Sequence, residues 1–261
     1  MPVRASLRER VPGSSRRETM ASSNYPFGTI ARRLGGPRPL PPTDRDAIQG
    51  LPFNVRSIEA SQDIVYEGGP STHCCVILDG WTCCYQLLTE GRRQILSFHV
   101  PGDLPDLQGL YLTGPDFGMA AVTRTSVAFV PHADLQKLAD GSAAISRALW
   151  REALVAAATH RAWITSLGRR DARQRLAHLI CELYLRLEAV GLAGEHSMPM
   201  PLRQPDLADA LGLTSVHVNR TLKGMRAERL INLHSRRLTI LDWDALRAAA
   251  DFDSLYLHLD R

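Results

Sequence analysis

From about residue 57 to 133, apolar residues fall in short runs parted by turn signals: EGGP at 67–70, DG at 79–80, TEG at 89–91, PGD at 101–103 and TGPDFG at 113–118. That spacing predicts an all-β sandwich or barrel. Asp79-Gly80, set between Val-Ile-Leu and Trp-Thr-Cys, predicts a two-residue hairpin. Leu78 would then face Trp81, and Cys75 would face Cys84. From about 143 to 190 the period becomes helical. Leu149, Ala153, Ala156, His160, Trp163 and Leu167 recur at alternating spacings of four and three. This is the seam of a coiled coil and predicts a dimer interface, although a helix packed on its own domain gives the same pattern over so short a stretch. Gly168 is expected to interrupt this helix. A second one begins near Asp171, with Leu176, Ile180, Leu183 and Leu187 on one face, and ends around Gly191.

The segment QPDLADALGLTSVHVNRTLKGMRAERLINL, residues 204–233, reads as two short helices about a tight turn. Leu207, Ala208 and Leu211 give the first its apolar face, and Gly212-Leu213 form the turn. Thr214 or Ser215 can cap the second, whose inner face is Val218, Leu222 and Met225. Its outer face carries Ser215, Val216, His217, Asn219, Arg220 and Lys223. LINLHSRRLTIL then reads as two β runs with a basic tip, Ser235-Arg236-Arg237. Helix, turn, helix and basic hairpin make a winged helix-turn-helix.

Such an outer face suits a DNA major groove. Arg220 can hold guanine O6 and N7 with both arms, and Asn219 can do the same for adenine. Thr214, Ser215, Val216, His217 and Lys223 lie within reach of bases or phosphates, while Gln204 and the wing arginines Arg236 and Arg237 suit phosphates, which position without specifying. A winged helix that docks a protein partner is the alternative for the same face.

Composition adds less. The chain has 261 residues, 44% hydrophobic and 22% charged, with a net charge of +4. It is long enough for two modest domains. No apolar run is long enough to span a membrane. The Arg-rich stretch MPVRASLRERVPGSSRRETM lacks the apolar core of a secretory signal, so a cytoplasmic location with five reduced thiols is expected. Residues 1–24 are expected to be disordered, or untranslated if Met20 is the true start. No nucleophile–base pair, phosphate-cradling loop or zinc spacing points to an enzyme, a metal or another cofactor.

YEGGPSTHCCVILDG and RRQILSFHVPGD in the β region, the long helix, and LADALGLTSVHVNRTLKGM together resemble the Crp/Fnr family of bacterial transcription regulators, over about residues 50–245. The resemblance implies an α+β chain of three parts: a cyclic-nucleotide-binding-like sensor β-roll at 25–142, a dimerisation helix at 143–170, and a winged helix-turn-helix at 171–261. It implies a homodimer on a palindromic site in double-stranded DNA, a small-molecule effector, and RNA polymerase as a further partner. Two departures qualify this. Members that bind cyclic AMP carry Gly-Glu where Pro105-Asp106 stands, and a phosphate-holding Arg where Phe117-Gly118-Met119 stands. A buried phosphate without its cation is costly, so cyclic AMP is not the expected effector. Arg203 also stands where the family has a Thr cap, with Asp206 in the first turn to offset it through the helix dipole.

Four of the five cysteines lie in HCCVILDGWTCCYQ, residues 73–86. No cysteine precedes Cys74, so the family's iron–sulfur pattern is absent. Neighbours on a strand face opposite ways, so neither pair can serve one metal ion. Packing is the favoured role. The alternatives are a thiol or metal redox sensor, with Cys75 and Cys84 as a switch.

Overall fold

The computed structural model describes residues 30, 33–36 and 39–259; the expected N-terminal extension at 1–24, with Met20, lies outside them. Helix α1 (Pro42–Gln49) leads into β1 (Asn54–Ile58), β2 (Asp63–Val65), β3 (His73–Asp79), β4 (Thr82–Leu87), β5 (Arg93–His99), β6 (Gly118–Ala121) and β7 (Thr125–Pro131). These form two antiparallel sheets, ordered β1-β7-β3 and β2-β6-β4-β5. The strands are short because each crosses a small roll and then turns.

The Asp79-Gly80 turn is not a hairpin. β3 pairs with β7, whereas β4 pairs with β5 and β6, so the turn is a corner between the two sheets. Trp81 forms its bonds with the β6–β7 link: its N–H donates to Thr123 Oγ1, and its carbonyl accepts from Val122 N–H and Thr125 Oγ1. Gly80 has φ +82°, and a Cβ there would lie 2.4 Å from the Arg124 carbonyl. Only glycine fits such a corner.

Strand alternation sorts the cysteines. Cys75 and Cys84 point into the roll with Ile77, Phe117, Met119 and Val127. Cys74 points outward under the helices, with Ile48, Leu135, Ile145 and Leu149. Cys83 points outward on the other sheet, with Trp81, Ile95 and Phe98 against the C-terminal helices. Cys75 stands opposite Phe129, and Cys84 opposite Met119 and Ser97, so the expected Cys75–Cys84 cross-strand register is absent. The middle of β3 and the first half of β4 are covered on both faces, which is why they read as unbroken apolar runs, whereas β1 is exposed along most of its length.

Helix α2 (His132–Gly141) precedes the long helix α3 (Ala143–Arg169) and then α4 (Ala172–Ala189). Ser142 caps α3 by accepting from Ile145 N–H. Helix α3 runs through Gly168 and breaks at Arg170, two residues beyond the glycine expected to interrupt it. The break is built by the next cap: Asp171 accepts from Gln174 N–H, and Gln174 accepts from Asp171 N–H. The Arg170 side chain is held by the carbonyls of Ala250 and Asp251.

The C-terminal part adds β8 (Ser197–Pro199), α5 (Gln204–Leu211), α6 (Ser215–Ala227), β9 (Ile231–His234), β10 (Arg237–Ile240) and α7 (Trp243–Ala250). The wing is a three-stranded sheet, β8-β10-β9, with one more strand than the sequence reading has. Its tip is Ser235-Arg236, at φ 49° and 58°, and Arg237 already belongs to β10.

Candidate nucleic-acid interface

Helix α5 ends at Gly212, left-handed at φ 62°, which lets the chain reverse into α6. Thr214 Oγ1 caps α6 by accepting from His217 N–H at 3.2 Å. Val218, Leu222 and Met225 are buried against α5 and α4, so the phase of α6 is fixed. The opposite face is open: Thr214, Val216, Arg220 and Lys223 are exposed, and Ser215, His217 and Asn219 are half-buried. Arg236 and Arg237 are exposed on the wing, and Gln204 is half-buried at the start of α5. One arm of Arg237 donates to Ser197 Oγ at 3.0 Å, which braces the wing. Thus α6 and the wing both carry exposed polar groups and cations, while the inner face of α6 is packed in the core.

Arg203 has no oxygen to accept the first N–H groups of α5, and no side chain caps them. Asp206, three residues on, accepts from Arg203 N–H at 3.0 Å and from its Nε at 3.1 Å. The backbone donor that a Thr would leave to its partner is therefore satisfied. Arg175 braces the turn from below, donating to the carbonyls of Arg170 at 2.8 Å and Leu211 at 2.9 Å.

The base joins the roll through buried charge. Asp103, in the PGD turn, meets Arg33, Arg186 at 2.7 Å and His99 at 3.6 Å. Burial alone would raise the Asp103 pKa, but Arg33 and Arg186 hold it well below the usual carboxylate range. Arg186 also donates to the Phe98 carbonyl and to Glu182, and Glu182 accepts from Trp163 Nε1 at 3.0 Å and Tyr256 OH at 2.8 Å. Roll, long helix and C-terminal end therefore share one network of paired groups, as buried charges require.

Two residues of the expected dimer seam are used in this way. Trp163 packs edge-on to Phe98, and Leu149 packs under the roll's helices, so the chain covers both itself. Leu167 is half-buried; Ala153, Ala156 and His160 remain exposed. The open stripe lies one residue along, where Trp150, Leu154 and Ile164 are 61%, 62% and 70% exposed. Trp150, Leu154, Ala157, Arg161, Ile164 and Gly168 repeat the same four-three spacing. That spacing was in the sequence twice, and only packing tells the two phases apart.

Burial pushes all five thiols upward, those in the roll and Cys181 on α4 alike, Cys83 and Cys181 to about 12. All five cysteines are free and buried. Protonated thiols are poor nucleophiles and poor ligands. Among the described residues, no group of three or more His, Cys, Asp or Glu could hold a metal ion, and no helix is long and apolar enough to cross a membrane. Met119 is fully buried in the roll interior, beside Phe117. Asp106 is buried too and accepts from Cys75 N–H at 2.8 Å.

Residues 55–142 match the cyclic nucleotide-binding domain family, and residues 174–249 the Crp-like helix-turn-helix domain family. The nitrogen fixation regulation protein FixK of Rhizobium meliloti is 28% identical over 198 residues, covering 76% of this chain and 87% of its own length. The transcriptional activator protein FnrL of Cereibacter sphaeroides is 25% identical over 203 residues, covering 76% of this chain and 81% of its own. The solved structure of FixK2 from Bradyrhizobium japonicum superposes with a TM-score of 0.70 at 27% identity, over 76% of this chain and 98% of that one. With the roll, the long helix and the open recognition helix arranged as they are, the chain belongs to the Crp/Fnr family of DNA-binding transcription regulators.

Proposed function

We propose that the chain acts as a homodimer on a palindromic operator, as a regulator and not as a catalyst. The observation that carries this reading is the outer face of α6, open while the inner face is locked in the core. Arg220 and Asn219 read bases, and Thr214, Ser215, Val216, His217 and Lys223 flank them. Gln204, Arg236 and Arg237 hold phosphates and set the register. The domains divide near residues 142 and 170. The two protomers meet along Trp150, Leu154, Ala157 and Ile164, with Ala153, Ala156 and His160 at the edge of that face.

The roll senses a small molecule other than cyclic AMP. Phe117, Gly118 and Met119 offer no cation to a phosphate, and Met119 occupies the interior. The cysteines pack, since their thiols are held protonated by burial. A cytoplasmic location and contact with RNA polymerase complete the reading.

Selection of bound fragments from a random DNA library, followed by gel shifts at low and high salt, tests it. Affinity should fall steeply with salt. Arg220→Ala should weaken binding to the selected fragment by about 1–3 kcal/mol with the fold intact. Equal binding by that variant would remove α6 from the groove.

A further inference from the structure

We propose that Arg93 is a positioning residue for DNA binding: it clasps the first helix of the helix-turn-helix to the roll and so fixes how α6 is presented. The proposal rests on α6 being the DNA-reading element. Arg93 begins β5 on the outer face of the second sheet. Its Nε donates to Asp209 at 2.8 Å and its Nη2 to Asp206 at 3.2 Å, both on α5. Asp206 is the buried carboxylate that also accepts from the Arg203 backbone N–H at the start of α5. The next residue of β5 adds a second tie, Gln94 Nε2 donating to the Ala210 carbonyl at 3.3 Å in the last turn of α5. One strand of the roll thus grips both ends of one short helix.

A lone ion pair at a surface contributes little. Here a planar guanidinium spans two carboxylates on one helix, a geometry a lysine cannot reproduce. The grip is also backed by the neighbouring strand β4. The Arg93 guanidinium lies 5.9 Å from the centre of the Tyr85 ring, and Tyr85 OH donates to Asp63 on β2 at 2.8 Å. Tyr85 stands where it does because Gly118 on β6 has no Cβ; one built there would lie 2.6 Å from the ring. A shift of β2 or β6 therefore moves Tyr85 and, through it, Arg93.

The grip leads to α6 because α5 packs directly on it, with Leu207 and Leu211 in one cluster with Val218 and Leu222. While the grip is closed, the outer face of α6 is open. The chain breaks at Arg170, and the clasp adds to the Arg186–Asp103 tie and the shared core in setting how the C-terminal part lies on the roll. Without the clasp the recognition helix samples several orientations, and apparent affinity falls with the fraction that fits the groove.

The test uses the full-length protein and a fragment selected by the wild type from a random DNA library. Arg93→Ala should bind that fragment about ten-fold more weakly, as expected if the fitting fraction drops to about a tenth. Arg93→Glu with Asp209→Arg and Asp206→Asn should recover most of the loss, because the ion pair to position 209 is rebuilt with its charges exchanged, while the Asp206→Asn change removes the like charge beside it and keeps an oxygen for the Arg203 N–H. Spin labels at Val55→Cys on β1 and Arg226→Cys on α6, in heterodimers with unlabelled chains, read the orientation without DNA. The distance distribution should be narrow in wild type, broad in Arg93→Ala and narrow again in the charge swap. Arg220→Ala serves as the comparison, with weaker DNA binding and an unchanged narrow distribution. If the wild type enriches no fragment, the DNA reading of α6 fails, and the distance measurement alone decides the clasp. A narrow distribution in Arg93→Ala, an unchanged or tighter DNA affinity, or a loss that the charge swap leaves unrepaired would overturn the proposal.

Discussion

Asp106 is a buried carboxylate whose Oδ1 accepts from Cys75 N–H at 2.8 Å. Burial lifts its pKa from 3.8 to about 6, against the Cys75 N–H bond that pulls it down. At neutral pH the folded protein therefore holds a charge it would shed more readily than the unfolded chain does. Asn at this position keeps an oxygen for Cys75 N–H and carries no charge. Asp106→Asn should raise unfolding stability at pH 7.5, by up to about 3 kcal/mol at one pKa unit per 1.36 kcal/mol. The gain should shrink below about pH 6 and vanish near pH 3, where both states of the wild type are protonated. Urea titrations at the two pH values check this; equal stability at pH 7.5 would mean that the charge is compensated. At this scale the sequence was partly legible. Strand alternation separates the neighbours within each cysteine pair, and the structure places them on opposite faces. It could not show that Asp79-Gly80 joins two sheets, because a hairpin and a corner ask for the same residues, and only the neighbour across the turn differs.

Elements were more legible than their phase. The turn spacing, the long helix and the two helices about Gly212 can all be read from periodicity. The third wing strand β8 escaped, since three residues, Ser197–Pro199, carry no period. Helix α3 shows the limit most clearly. Two stripes with the same four-three spacing lie one residue apart, and the choice between them depends on what the chain itself covers. Trp163 finds Glu182 and Phe98, and Leu149 finds the roll, so the chain itself covers these two, while Ala153, Ala156 and His160 of the same stripe stay exposed beside the other. Leu154 stands near the middle of the open face at 62% exposure. Across a two-fold axis, Leu154→Glu sets like charges in an apolar seam and removes two apolar contacts at once. Sedimentation should then show a monomer with an unchanged helical signal, and DNA affinity should fall because two half-sites are no longer engaged together. A persistent dimer would move the interface off this stripe.

At the scale of the whole molecule, the tie between roll and DNA-binding part depends on which buried groups are charged, and so on pH. His178, under Tyr256 and Phe252, has its pKa lowered from 6.5 to about 4, by burial first and by Arg170 second. As pH falls below 6.5 the unfolded chain takes up this proton and the folded one does not. Stability from this site is therefore lost between 6.5 and about 4, by roughly 3 kcal/mol at full extent. His99 is lowered by burial as well and adds in the same direction. Asp106 works the other way, because the folded state takes its proton first, below about 6, and stability from it rises toward pH 3.8. Asp103, held low by Arg33 and Arg186 against burial, adds a further loss once the unfolded carboxylates protonate. The two largest shifts in the window thus oppose each other, and the wild type should lose stability only gently between pH 6.5 and 4. His178→Phe keeps a ring against Tyr256 and removes the titration, so its stability should be flat or should rise on acidification through that window. Asp106→Asn should fall more steeply than wild type. Denaturant midpoints at half-unit pH steps for the three proteins test this directly, and parallel curves would show that neither site governs the acid response.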